Sequence, residues 1–434
     1  MPRRTSMFLL LFLPLLCAAA DRPVPPAPPG ARAGTELVAD GAWCWFADPR
    51  AVRVKGERDR TYIGWVTSKG DIRIGAYDHA SGAFETATLH PKLNADDHAN
   101  PGLLVLPDKR LMVFYSGHSR RPMYDRTSGK PEDITAWGDE RRVTADISGG
   151  NGYTYANPVL LAEEKNRIYL FWRGGNWQPA FAWSDDLGTT WSKAHHIIQA
   201  PKRTPPYVKV ATDGKARIHL AYTDGHPRHM ATNNIYYACY HDGAFHKADG
   251  SKIKAVADLP FRTGEGDLVY HAKAVVGGRG WIWDIALDGA GRPVIVFAAM
   301  PAYKDHRYRY AVWDGEAWHH HEICSAGGYI DGSREMHYSG GIILDHRDPR
   351  TVYLSRQVKG VHELDRWVTP DGGKTWTTTP ITSGSAKKNV RPVVPRGPRE
   401  GGLGVIWMHG DYHYWTRYGT SLRTWPPLKE KPRE

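Results

Sequence analysis

Histidine, tyrosine and arginine recur along this chain at positions whose spacing invites a chemical reading: His98, His118, Tyr155, Arg173, Tyr207, His226, Arg228, Arg356 and Arg391. Imidazole and phenol groups move protons. A guanidinium is always charged and holds a carboxylate with a fixed fork of donors. The set lacks a pair of carboxylates, which hydrolysis of a glycosidic bond ordinarily needs. Asp284 is the one acidic residue that stands out among them. Elimination beside a uronate has other requirements. The C5 proton is weakly acidic, so a cation must neutralise the carboxylate while a base removes the proton and an acid protonates the leaving oxygen. His, Tyr and Arg supply those three functions.

The elements that would position these groups are hairpins. Leu103 to Leu106 and Leu111 to Tyr115 are apolar runs around a Pro-Asp-Lys-Arg turn, the pattern of two antiparallel strands. Such a hairpin brings its first and last residues to one edge, so His98 and His118 are predicted neighbours. The same unit recurs from Tyr155 to Arg173, from Tyr207 to His226 and from Trp281 to Ala298. Seven units can be marked by the residue that opens each innermost strand: Trp45, His98, Tyr155, Tyr207, Trp281, His337 and Arg391. Their spacing fits one four-stranded blade each. The longest gap, after Tyr207, predicts a Gly-rich insertion near Asp258 to Gly280, looping over one face. Thr35 to Ala39 is placed as the outer strand that completes the last blade.

Two further motifs agree. Ser184-Asp-Asp-Leu-Gly-Thr-Thr-Trp191 and Thr369-Pro-Asp-Gly-Gly-Lys-Thr-Trp376 both follow the Asp-box pattern. There Asp caps a tight turn, Gly takes positive φ and Trp packs between sheets. The fold class predicted is all-β, a seven-bladed β-propeller of four-stranded antiparallel blades over residues 35–426. Residues 1–20 read as a signal peptide, with Arg3-Arg4, an apolar Met7 to Leu16 and an Ala-rich cleavage site. Residues 21–34 are a Pro/Ala/Gly-rich linker. Cleavage would remove Cys17 and leave Cys44, Cys239 and Cys324, too few for a disulfide scaffold. His319-His320-His321 alternates across a strand and cannot converge on one ion. A formal net charge of +11 with 17 Trp and 22 Tyr suits an anionic polysaccharide partner. No basic run or nucleic-acid motif is present.

The chain resembles the BNR-repeat propeller proteins that include the ulvan lyases. The residues that carry the resemblance are Trp43-Cys-Trp-Phe-Ala-Asp-Pro-Arg50, Asp96-Asp-His-Ala-Asn-Pro101, Tyr115-Ser-Gly-His118, Tyr155-Ala-Asn-Pro158, Phe171-Trp-Arg173 and Thr223-Asp-Gly-His-Pro-Arg228. It implies a secreted or periplasmic polysaccharide lyase cleaving a uronic-acid polysaccharide such as ulvan by β-elimination. His98, Tyr155, Arg173 and His118 match the family's catalytic positions, and Tyr207, ahead of Tyr222, a further tyrosine. Arg173 would neutralise the uronate, with His98 and Tyr155 as base and acid in either order. Tyr207, His226, Arg228, Arg356 and Arg391 are the expected substrate-binding residues. The alternatives are a hydrolase removing rhamnose from glucuronate-capped glycans and a non-catalytic carbohydrate-binding propeller. Some family members hold a zinc just after the arginine, but Gly174 to Ser192 contains neither His nor Cys, so no metal is carried over. No cofactor is required by this reading; a structural calcium or zinc is left open. A monomer free of membrane after signal cleavage, with no nucleic-acid partner, is expected.

Overall fold

The computed structural model describes residues 33–145, 149–201, 204–273, 278–330, 334–398 and 402–426. The expected signal segment and nearly all of the linker lie outside the described residues. Seven antiparallel sheets follow one another around a ring. Strand order runs outward within each, from the inner strand to the fourth. In blade three these are Thr154–Leu161, Arg167–Arg173, Pro179–Ser184 and His195–His196. Helix among the described residues is confined to three-residue 3-10 turns. The last blade closes as the sequence predicts. Its inner strands are Lys388–Val393, Val405–Tyr414 and Arg417–Trp425, and Thr35–Val38 pairs with the outermost of these.

Blade three shows why these residues make a propeller. Its second strand is buried along nearly its whole length, and the side chains alternate between faces. Ile168, Leu170 and Trp172 pack with Leu104, Met112 and Phe114 of blade two. Tyr169 and Phe171 pack with Leu220 and Tyr222 of blade four. A strand apolar on both faces is what a sheet sandwiched between sheets requires. Losing one such aromatic to Ala costs about 3–5 kcal/mol.

The segment Ala42 to Arg50 precedes the first blade and crosses the centre of the ring. Trp45 stacks on Trp283 at 4.1 Å and donates from Nε1 to the Ile282 carbonyl at 3.0 Å. Trp43 donates to the Arg391 carbonyl at 2.9 Å. Lys209, fully buried, donates to the Trp45 carbonyl and to Asp48. One short stretch therefore binds blades four, five and seven, and its upper surface becomes the floor of the site.

Both Asp-boxes form as predicted. Asp186 accepts from the Thr190 amide at 2.8 Å and Asp371 from the Thr375 amide at 2.9 Å, and Gly188 and Gly373 have φ of 84° and 95°. Those bonds, first to the Thr hydroxyls, hold both carboxyls down at about 2. The insertion differs from expectation. Lys252–Ala255 extends the sheet of blade four, Phe261–Arg262 pairs in parallel with Ile198–Gln199, and Asp267–Tyr270 pairs with Ile235–His241. Its apolar residues Phe261, Val269 and Tyr270 are buried, so it is built into the blade rather than looped over a face.

Candidate functional site

The edge where inner strands begin and second strands end carries a compact cluster. A 3-10 turn, Asp97–Ala99, leads into blade two, capped by Asp96, whose carboxylate accepts the His98 amide at 3.0 Å. The same oxygen accepts His98 Nδ1 at 2.7 Å, and the other accepts His118 Nδ1 at 2.9 Å. The two imidazoles lie parallel, 4.0 Å apart with 5° between planes. The hairpin of blade two thus delivers the pair that its length and turn predict. Tyr155, on the inner strand of blade three, stacks on His98 at 5.4 Å, and Trp415 of blade seven meets it edge-on at 5.7 Å. Neither Nε2 has a hydrogen-bond partner among the described residues.

The shared carboxylate gives the two rings opposite states. Burial would push His98 down, but Asp96, joined by Cys44 and Asp97, holds it well above its ordinary value. Burial pushes His118 down to about 4, and the charged His98 beside it adds to this against the pull of Asp96. With Nδ1 donating to Asp96, His98 presents Nε2–H and His118 a bare Nε2 lone pair. Burial also holds the Tyr155 phenol well above its usual range.

Arg173 ends the second strand of blade three. Its guanidinium lies over the rings of Tyr155 at 4.7 Å and Tyr207 at 5.4 Å, and Nη1 donates to the Tyr207 hydroxyl at 2.7 Å. Nε and Nη2 are buried without a partner. No carboxylate among the described residues pairs with this arginine. Tyr207 rather than Tyr222 belongs here, for the Tyr222 hydroxyl is spent on the Thr263 carbonyl at 2.8 Å.

His226 reaches the same edge, with its ring 5.5 Å from Tyr207 and 4.3 Å from Trp281. Nδ1 accepts the Arg228 amide at 3.1 Å, and burial, reinforced by Arg228, keeps this ring well below its ordinary value. Arg228 is half-exposed and donates to Glu335 and to the Arg334 carbonyl. Glu335 also accepts His337 Nδ1 at 2.8 Å, and His337 Nε2 accepts from Arg279 at 3.2 Å. Glu335, His337, Tyr338, Tyr412 and Trp415 are given no site role in the sequence reading, yet they surround the cluster, with Tyr412 buried beneath it. The signal was present: Glu335-Met-His337 repeats the Asp96-Asp-His98 spacing, and both acids accept the amide and Nδ1 of the histidine two residues on.

Three expectations change. Arg391 has 0 % exposure and meets no substrate. It lies beneath the histidines, bound by Asp97, the Tyr412 hydroxyl and the Trp43 carbonyl, because an unpaired charge at that depth would be prohibitive. Arg356 is held by Asp365 at 2.6 Å and shares no hydrogen bond or ring contact with the cluster among the described residues. Asp284 is also at 0 % exposure, accepting from the Leu344 amide and His346 Nε2. It is not placed to serve as a glycosidase carboxylate.

Two donor groups have the types to hold a metal, Cys44–Asp97–His98 and Asp96–His98–His118. The parallel imidazoles point their lone pairs into separate planes, so one ion cannot lie in both. Asp97 Oδ2 is engaged by Arg391 and Tyr412, and its Oδ1 lies 2.9 Å from His98 Nδ1. His319 and His321 lie on the outermost strand of blade five and line a cleft of about 1070 Å³ with Asp288, Asp314 and Asp371. Those aspartates cap backbone turns.

A family model described as "BNR repeat-containing family member" matches residues 60–326. The chain belongs to the BNR repeat-containing family. Within and around that family, an ulvan lyase from Alteromonas sp. (strain LOR) is 26% identical over 169 residues, a third of each chain. The match thus spans about a third of that relative's length. Among solved structures, the PL25 ulvan lyase superposes with a TM-score of 0.67 at 15% identity, covering 90% of this chain and 94% of the other. Its complex with -[GlcA(1-4)Rha3S]- gives 0.66 over the same share. The polysaccharide lyase Uly1 gives 0.54 at 11% identity, over 90% and 97%. At these identities the likeness establishes the propeller shared with the family.

Proposed function

We propose that this protein is a polysaccharide lyase that cleaves a uronate-containing polysaccharide such as ulvan by β-elimination. The observation that carries the reading is Arg173, a buried guanidinium with two unpartnered nitrogens and no carboxylate of its own, facing a pair of histidines in opposite protonation states. A uronate seated on Arg173 has its charge countered as the C5–H bond weakens. The bare Nε2 of His118 accepts the C5 proton. His98, already protonated, and Tyr155, still a phenol, are the donors available to the leaving oxygen. The bond to the leaving oxygen breaks as the C4–C5 double bond forms, leaving an unsaturated uronate at the new end. Asp96 steadies both rings and keeps their charges apart. The named substrates of the relatives and the signal-peptide pattern read in the sequence of residues 1–20 support an extracellular role.

The test is incubation with ulvan and other uronate polysaccharides, read by ultraviolet absorbance of the unsaturated product. We expect absorbance to rise with the intact protein and to fall to background with Arg173→Ala. New reducing ends without absorbance would establish a hydrolase instead.

A further inference from the structure

Large apolar side chains that remain exposed among the described residues are Trp177, Leu187, Leu268 and Tyr303. The two aromatic ones share a position the leucines do not. Trp177 is in the hairpin between Arg167–Arg173 and Pro179–Ser184, and Tyr303 in that between Pro293–Ala302 and Asp305–Trp313. Both hairpins join a second strand to a third, so both tips stand on the edge that carries His118 and His226. Leu187 belongs to an Asp-box at the opposite edge, and Leu268 to the outer side of blade four.

Each ring is fixed against one part of the site. The Trp177 Nε1 donates to Ser119 Oγ at 3.3 Å, and Ser119 follows His118 in the chain. The Tyr303 ring meets His337 edge-on at 5.4 Å. The indole is held at some conformational cost. Asn176 and Trp177 have φ of 54° and 60°, and Ser119 across the gap has 54°. Non-glycine residues seldom adopt this region, and it persists where surrounding contacts over-determine it. Asn176 Oδ1 accepts the Gly150 amide at 3.2 Å, and the Trp177 amide donates to Gly174 at 2.8 Å. Trp177 is 44% exposed and Tyr303 45%. Water-facing indole and phenol rings with fixed orientation are poor investments for stability alone and good surfaces for the C–H face of a pyranose.

We propose that Trp177 and Tyr303 are sugar-stacking platforms flanking the catalytic cluster, one on the His118 side and one over the His226–His337 side. This rests on the polysaccharide reading above. A glycan segment then crosses from blade three to blade five, with its uronate on Arg173 and pyranose rings on the two platforms. The platforms act in binding and do not touch the reacting bond.

The experiment compares Trp177→Ala, Tyr303→Ala and Trp177→Phe with the unchanged protein. Affinity is read by calorimetric titration with ulvan oligosaccharides, turnover by absorbance on ulvan, and folding by thermal melt. Each alanine variant should weaken Kd and raise KM about tenfold while kcat stays within about twofold, and Phe should restore most of the affinity. Unchanged Kd and KM in both alanine variants would overturn the proposal while leaving the lyase reading intact. Aromatic-dependent binding with no unsaturated product from any variant would overturn the lyase reading and leave the platforms standing. A protein that binds neither ulvan nor other uronate glycans would overturn both.

Discussion

Blades two and six open with the same device and use it differently. In each, a carboxylate accepts the amide and the Nδ1 of a histidine two residues later: Asp96 with His98, Glu335 with His337. Asp96 then spends its second oxygen on another imidazole, His118. Glu335 spends its own on a guanidinium, Arg228. Beyond the shared bond, His98 Nε2 is uncapped among the described residues, whereas His337 Nε2 accepts from Arg279. A guanidinium has no acceptor, so the single ring proton of His337 must lie on Nδ1 and its lone pair is already occupied. One motif is thus left open for proton transfer and the other is locked as a scaffold. The neighbours decide which, and the motif itself does not.

The strongest way to break this contrast is to remove each histidine. His98→Ala should lower kcat by a factor of about 10²–10⁴, the usual contribution of a general acid or base, and His337→Ala by less than about tenfold. Steady-state rates of unsaturated-uronate formation, with thermal melts as a check on folding, decide the matter. Equal losses would make blade six part of the chemistry.

The carboxylates sharpen the comparison. Asp96→Asn removes the charge that keeps His98 protonated, so its pKa falls and the alkaline limb of the kcat/KM profile should move to lower pH. Glu335→Gln should leave that limb in place and lower the melting temperature instead, by weakening the bonds the buried carboxylate accepts from His337 and Arg228. An unmoved limb in Asp96→Asn would sink the assignment of His98 as the charged partner.

A smaller effect concerns acid. His118, His219, His306 and His362 are all depressed to about 4 by burial first. The unfolded chain takes up these protons near pH 6.5. Between that pH and about 4 it binds more protons than the folded one, so stability must fall on acidification through this window. His98 runs the other way: its stabilisation is complete below about pH 6.5 and is lost as pH rises through its folded value. Melting temperatures measured from neutral pH to pH 4 should therefore decline. A flat profile would mean that these rings are not buried in the neutral form.

Strand geometry made much of this legible from sequence. A hairpin of known turn length must bring its ends together, and His98 and His118 followed from that. Thr154 pairs with Arg173 across blade three, so Tyr155 and Arg173 followed too. What escaped depends on closure of the ring. Asp97 takes up the charge of Arg391 across 294 residues, so an arginine at the right edge was read as a ligand when it is a foundation. Trp415 and Tyr412 arrive by the same route, and no local pattern announces that they will meet His98 and Asp97. The insertion after blade four was read from its glycines, while the buried Phe261, Val269 and Tyr270 governed its course.

The clasp of blade seven carries a consequence in time. Thr35–Val38 finds its partner only in the last strand, Arg417–Trp425, and Ala33 bonds to Arg423 across 390 residues. Contacts of such sequence separation are slow to form because the intervening loop must be closed first. Until the final blade exists, the ring is an open arc whose terminal sheets expose apolar faces. Arg391 reaches Asp97 and Trp415 reaches His98 from that same blade, so the support beneath the histidines is completed in the step that shuts the ring. A chain stalled short of its last strands would hold the histidines and Arg173 while lacking the Arg391 and Tyr412 that bind Asp97 and the Trp415 that packs on His98.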